Sequence, residues 1–198
     1  MTHTDRPKLQ IVVASTRPGR VGGTIADWLG EQVPDELGFD VEIVDLAAVG
    51  LPMLDEPHHP SERMYLHEHT RAWSASVGRA DAFVFVMPEY NTGFTAPLKN
   101  ALDYLYEEWR HKPVGFVSYG MTSGGLRAVE MLKPVLVALN MVPVHAAVSI
   151  PLRAALDEQG SLRPTEAMLA NVGPMLSELH TLARTLRPLR MTAGSAPG

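Results

Sequence analysis

Residues 14–24 read Ala14-Ser15-Thr16-Arg17-Pro18-Gly19-Arg20-Val21-Gly22-Gly23-Thr24. The glycines permit tight backbone turns, and Ser15 and Thr16 carry hydroxyl donors. A helix starting just after them would present unpaired amides at its positive dipole end. A phosphate suits such a loop. Arg17 and Arg20 add charge and bidentate donors, which match a phosphate monoester dianion better than a neutral group. The competing interpretation is a strand-to-helix turn with two solvated arginines, and this loop alone does not separate the two. The GxGxxG fingerprint and the Walker lysine pattern are both missing from it, which disfavours a Rossmann dehydrogenase and a P-loop NTPase.

A second stretch reads Val86-Met87-Pro88-Glu89-Tyr90-Asn91-Thr92-Gly93-Phe94-Thr95-Ala96-Pro97 and continues Leu98-Lys99-Asn100-Ala101-Leu102-Asp103. Pro88 and Gly93 favour irregular backbone, Thr95 is placed to cap a helix, and Pro97 suits that helix's first turn. The exposed amides suit a planar heterocycle whose edge alternates donors and acceptors, with Tyr90 and Phe94 available to stack. A capped loop whose aromatics complete the core is the alternative; it fits Phe94 better than it fits Pro-Glu-Tyr-Asn. A third stretch, Ser118-Tyr119-Gly120-Met121-Thr122-Ser123-Gly124-Gly125, is again rich in glycine and hydroxyls.

The elements around these loops follow from hydrophobic periodicity. Apolar runs of strand length occur at residues 9–14, 41–44, 82–87, 114–118 and 142–148, so five strands are expected. Between them lie helical patterns, for example Ile25, Trp28, Leu29 and Val33, or Leu98, Leu102 and Leu105. Strands apolar on nearly every residue are covered on both faces, so the βα alternation predicts an α/β protein with a parallel sheet between helix layers. Such sheets bind ligands beyond the carboxyl ends of their strands, where the three loops lie. Residues 46–62 read as a long loop before a helix over residues 64–79. Pro134 should kink or restart the helix at residues 126–139, and Pro143 suits an edge strand. A last helix runs from Pro164 to about Arg187 with Met168, Val172, Met175, Leu176, Leu179 and Leu182 toward the sheet. Residues 188–198 are expected to fray. One domain spans residues 1–198.

Ser-x-Arg-x-x-Arg after the first strand, Pro-Glu-Tyr-Asn and Leu-Lys-Asn-Ala-Leu-Asp after the third, and the Ser118–Gly125 loop together resemble the NADPH-dependent FMN reductase family, which includes quinone, azo-dye and chromate reductases. The resemblance covers roughly residues 8–145. It implies a flavodoxin-like three-layer sandwich with a five-stranded parallel sheet, FMN as cofactor, and NADPH or NADH as donor. It also implies ping-pong reduction of a small acceptor such as a quinone, an azo compound or free flavin. Ser15, Arg17, Arg20 and Gly22 would hold the FMN phosphate. Pro88, Glu89, Tyr90 and Asn91 would line the isoalloxazine, and Ser118, Gly120 and Gly124 would border its other side. Relatives often carry Ser and Asn where this chain has Arg20 and Gly22, which leaves the side-chain share of phosphate binding open. No acid or base catalyst is nominated, because the flavin carries the electrons. The family is usually dimeric, so a homodimer or homotetramer is expected, with contacts from the helices around His67 and after Thr95. There Tyr104, Tyr106 and Trp109 are expected outside the core, joined by Met64, Tyr65, Leu66 and Trp73. A flavodoxin-type electron carrier, or a flavin reductase supplying reduced FMN to a monooxygenase, is the alternative; the paired arginines favour the reductase.

Composition bounds the remaining classes. A formal net charge of -5 argues against nucleic-acid binding. There is no cysteine, which excludes disulfides and thiolate chemistry. No apolar run reaches the roughly 20 residues of a membrane helix, and residues 1–8 lack a secretory pattern, so a cytoplasmic location is expected. His58, His59, His67 and His69 raise the question of a metal site. His67 and His69, two apart on an expected helix, should diverge, and His58 and His59 fall in the loop, so no metal is assigned. Trp28, Trp73 and Trp109 are expected in packing or interface positions, and Glu107 and Glu108 at a solvated helix end.

Overall fold

Side chains alternate along a strand, so a run apolar at every position feeds two cores at once. In the computed structural model, which describes residues 6–193, Leu9, Ile11 and Val13 enter one buried cluster while Val12 and Ala14 enter the other. Strands β1 (Lys8–Val13), β2 (Asp40–Asp45), β3 (Ala82–Pro88), β4 (Pro113–Gly120) and β5 (Val142–Pro151) form one parallel sheet in the order β2-β1-β3-β4-β5. Helices α1 (Gly22–Glu31) and α7 (Glu166–Ala193) cover one face. Helices α3 (Glu68–Arg79), α4 (Ala96–Asp103) and α5 (Leu126–Ala138) cover the other. Two single-turn helices, α2 (Leu46–Val49) and α6 (Leu152–Ala155), follow β2 and β5. The chain runs from β1 outward to β2 and then returns to the far side of β1 for β3. The crevice between the carboxyl ends of β1 and β3 is therefore the switch point where ligands bind in this architecture.

All five expected strands form, and Pro143 lies on the edge strand β5. Pro134 neither ends nor restarts α5. The carbonyl it leaves without an amide belongs to Glu130, and both residues are exposed, so solvent can take that bond. Helix α7 likewise runs through Pro174 and Pro188 to Ala193, past the residue where the tail was expected to start; residues 194–198 lie outside the described residues. Met168, Val172, Met175, Leu176 and Leu179 are buried beneath it as expected.

The stretch between β2 and α3 departs most from expectation. Residues 64–67 are not helical. Both oxygens of Glu56 accept amides there, from Leu66 at 2.9 Å and His67 at 3.0 Å, and α3 begins only at Glu68. His67 thus precedes the helix in extended backbone, and its ring stacks on His69 at 5.1 Å between centroids instead of diverging. The long loop is stapled to α4: Asn100 accepts the Leu54 amide at 2.9 Å and donates to the Pro52 carbonyl at 2.6 Å, while Tyr104 donates to Asp55 at 2.9 Å. The expected placement of aromatics outside the core fails for Tyr104, Trp73 and Trp109, which are 0%, 2% and 1% exposed. Helix α4 ends at Asp103, so Trp109 sits in a separate 3₁₀ turn (Glu107–Trp109) that folds it against Trp73 and Phe83. Glu108 is also buried rather than solvated, accepting from Tyr65 at 3.0 Å and Ser74 at 2.7 Å.

Candidate functional site

The three loops converge at the carboxyl end of the sheet through backbone contacts between neighbouring strands. The Ala14 amide donates to Val86 at 2.9 Å and the Glu89 amide to Tyr119 at 2.9 Å. The Thr95 hydroxyl, besides capping α4 by accepting the Leu98 amide at 3.3 Å, donates to the Ala14 carbonyl at 2.6 Å. Between the loops lies a cavity of about 370 Å³ lined by residues 17–21, 88–90 and 119–121 and by Leu152. Of the residues nominated from sequence, Arg17, Arg20, Pro88, Glu89, Tyr90 and Gly120 line it.

The first loop turns at Arg17-Pro18-Gly19-Arg20, with the Arg20 amide donating to the Arg17 carbonyl at 3.2 Å and Gly19 at φ 73°. Proline second and glycine third is the pattern of a type II turn. The turn separates the two arginines in role. The Arg17 side chain is exposed and makes no hydrogen bond or ion pair with another described residue. Arg20 is ion-paired to Asp45 at the end of β2. Helix α1 then begins after Val21 without a side-chain cap and without an acidic residue in its first turn.

The second loop is a tight reversal. Tyr90 and Gly93 exchange both backbone bonds at 2.9 Å, and the two central residues, Asn91 and Thr92, have φ of 49° and 69°. Positive φ at both positions marks a type I′ turn, a conformation that a β-branched threonine adopts only when its surroundings enforce it. Asn91 is exposed on this turn and lies outside the cavity lining. Tyr90 remains 39% exposed at the mouth while its hydroxyl bonds Ser15 Oγ at 2.8 Å. Ser15 is itself fully buried.

The third loop is fixed from within. Ser118 donates to the Gly124 carbonyl at 3.0 Å, and Ser149 donates to the same oxygen at 3.2 Å. Gly124 and Gly125 both have positive φ, and a Cβ on Gly125 would stand 2.5 Å from that of Ser118, so the turn closes only with glycine. Ser118 and Gly124 are therefore buried supports of the loop and do not face the cavity. Glu89 ties the second and third loops together: its carboxylate accepts from the Ser123 hydroxyl and from the Arg127 amide at 3.1 Å, with the Arg127 guanidinium 3.8 Å away.

That carboxylate creates an electrostatic contrast. Among the described residues, three helices of more than one turn start from these loops. Thr95 caps α4 and Glu89 occupies the amide end of α5, whereas no side chain among the described residues caps α1. Gly22, in its first turn, is buried, and a Cβ there would meet Tyr119 Oη at 2.9 Å and Val13 Cγ1 at 3.0 Å. An open amide end and a guanidinium on the same cavity have the chemistry that receives an anion. The apolar surfaces of Tyr90, Met121 and Leu152 at the cavity mouth suit a flat ring system. Tyr119, Met121 and Leu152 were not singled out from sequence. Tyr119 was recoverable, because strand alternation turns it to the face opposite Ser118; Leu152 was not, because the fold alone brings α6 to the loops.

Comparison with known proteins agrees with this geometry. Residues 7–155 match the family described as NADPH-dependent FMN reductase. The chain is 41% identical over 173 residues to an NAD(P)H-dependent FMN reductase of Schizosaccharomyces pombe, covering 85% of each chain. It is 30% identical over 152 residues to an NADPH azoreductase of a Bacillus species, covering 75% of this chain and 77% of the relative. Among solved structures, the flavoenzyme NAD(P)H:(acceptor) oxidoreductase FerB of Paracoccus denitrificans superposes with a TM-score of 0.68 at 19% identity, over 90% of this chain and 98% of that one. That likeness bears on the fold, which is flavodoxin-like. With the three loops in order, the amide end of α1 open and the match extending over most of its length, the chain belongs to the NADPH-dependent FMN reductase family.

Proposed function

We propose that this protein is an FMN-dependent NAD(P)H oxidoreductase that reduces a small acceptor, such as a quinone, an azo compound or free flavin, in two separate half-reactions. One observation carries the assignment: among the described residues, α1 alone of the three helices that start from these loops keeps its amide end free of a side-chain cap, and Arg17 on the same cavity has no partner. A phosphate monoester fits there, and the name of the Schizosaccharomyces pombe relative agrees with FMN as its bearer. FMN, when bound, supplies the hydride acceptance and electron transfer.

The chain's own residues then divide into three groups. Arg17 and the first amides of α1 hold the phosphate, with Gly22 letting the first turn of α1 pack closely over Tyr119 and Val13 and Ser15 and Arg20 shaping the loop from behind. Pro88, Glu89 and Tyr90 form one wall for the ring system, with Asn91 on the turn beyond it; Gly120 belongs to the other wall, and Ser118 and Gly124 fix that wall's backbone. No side chain is assigned as acid or base; the Glu89 carboxylate is already committed to Ser123 and Arg127.

We place the protein in the cytoplasm, in keeping with its lack of cysteine, and no helix among the described residues is long and apolar enough to cross a membrane. We assign it a homodimeric or homotetrameric state. Since Tyr104, Trp73 and Trp109 are buried within the subunit, the surface for assembly is the stapled loop before α3, where Met53, Met64 and Leu66 are 77%, 47% and 57% exposed. The binding assignment is tested by titrating the apoprotein with FMN and with riboflavin. FMN should bind tighter by roughly two orders of magnitude, the scale of one or two hydrogen bonds to a charged group. Equal affinities would contradict a phosphate site at α1.

A further inference from the structure

Each of the three loops carries a hydroxyl toward the cavity, that of Ser15 behind Tyr90 and those of Tyr90 and Tyr119 on lining residues. Ser15 and Tyr90 satisfy each other at 2.8 Å. Tyr119 Oη, although its residue is 4% exposed, has no hydrogen-bond partner of regular geometry among the described residues. A buried phenol normally finds a partner, and where packing alone is required phenylalanine supplies it without the cost.

The position of this hydroxyl indicates what it serves. Tyr119 lies near the end of β4 in register with Pro88, and its ring lies in the cluster beneath α1. The 2.9 Å approach of Oη to the position of a Gly22 Cβ places the hydroxyl under the first turn of α1, on the sheet side of the amides that lack a cap. Burial pushes its ionisation upward and Tyr90 adds to the shift, while a loose approach of the Ser15 hydroxyl and the Arg20 charge oppose it, so the phenol is protonated at neutral pH. Given the assignment of FMN to this cavity, we propose that Tyr119 is an interior donor to the FMN phosphate and a determinant of the preference for phosphorylated flavin. Arg17 meets the phosphate from solvent, the α1 amides meet it along the helix axis, and Tyr119 meets it from the sheet.

The test is Tyr119→Phe, with fluorescence titration of the apoprotein by FMN and by riboflavin and thermal unfolding of the unliganded protein. The expected result is a rise of about 10-fold or more in the FMN Kd, an unchanged riboflavin Kd, and an unliganded melting temperature no lower than the parent's. Unchanged FMN affinity would overturn the proposal, as would an equal loss for riboflavin, which would move the contact to the ribityl chain. The placement is checked separately by Gly22→Ala, whose added methyl meets Oη in the parent and is relieved of that contact when Tyr119→Phe is also present. A smaller loss of unliganded stability in the double variant supports the placement, and an identical loss overturns it. A parent protein that binds no FMN would remove the cofactor assignment itself, an outcome distinct from a parent and a Tyr119→Phe variant that bind FMN equally.

Discussion

Replacing Arg17 by alanine removes a cation that the free protein does not use. The side chain is exposed, and no described residue pairs with it, so the folded state should change by no more than about 0.5 kcal/mol, as for other surface substitutions. In the complex the same change removes a hydrogen bond to a charged acceptor, worth about 1.5–3 kcal/mol, or roughly a 10- to 150-fold rise in the FMN Kd. Arg20 gives the contrast. It is ion-paired to Asp45, whose other oxygen accepts the Ala47 amide at 2.9 Å and caps α2. Arg20→Ala should therefore lower unliganded stability and leave an unpaired carboxylate near the phosphate, whereas Arg17→Ala should act on binding alone. Flavin-fluorescence titration with FMN and riboflavin, beside thermal unfolding without ligand, separates the two. An Arg17→Ala variant that holds FMN like the parent, or that loses riboflavin to the same degree, would refute the division of labour between the arginines.

Two further outcomes follow from side chains that shape the fold around the site. Glu89→Gln keeps one acceptor but removes the charge at the amide end of α5, costing about 1–2 kcal/mol; amide hydrogen exchange should quicken across residues 120–125, and unchanged exchange would mean that the carboxylate does not hold the third loop. Lys112 is buried at the amino end of β4, with Nζ donating to the Val77 carbonyl at 2.7 Å and the Gly78 carbonyl at 3.3 Å. Burial, helped by the nearby Arg190, pulls its ammonium down to about 7. The unfolded chain then binds more protons than the folded one between that value and the ordinary lysine value of about 10.4, so stability should rise with pH across this window, by at most about 1.4 kcal/mol per unit. Lys112→Met should flatten the rise in a denaturant series, and an unaltered pH profile would contradict the assignment.

Much of the fold was legible because the strands are apolar at every position, and such runs have few homes other than the middle of a sandwich. The three loops were legible for a related reason: proline, glycine and threonine fix turns and caps by local stereochemistry, as Thr95 and Pro97 do at α4. What escaped was decided across long sequence separations. Residues 64–67 have helical composition, yet Glu56 captures two of their amides in extended form. Helix α2 is a single turn, too short for any periodicity. Tyr104 and Trp109 look like surface aromatics on a helical wheel, but α4 stops at Asp103 and the following turn folds the tryptophan inward. At the site, both arginines were identified as cations, but that Asp45 engages Arg20 and leaves Arg17 free depends on strand order, which no local pattern records. Ser118 and Gly124 were nominated for the cavity and instead hold its wall from behind.

Whether this cavity runs flavin chemistry is decided by following the two half-reactions apart from each other. Protein loaded with one equivalent of FMN is mixed anaerobically with NADPH, and in a second experiment NADH, while flavin absorbance is recorded. The pyridine nucleotide is then removed and a quinone added. Bleaching is expected in the first step, full recovery in the second, and parallel double-reciprocal lines in steady-state turnover. Bound FMN that stays oxidised in the presence of both nucleotides would contradict the assignment.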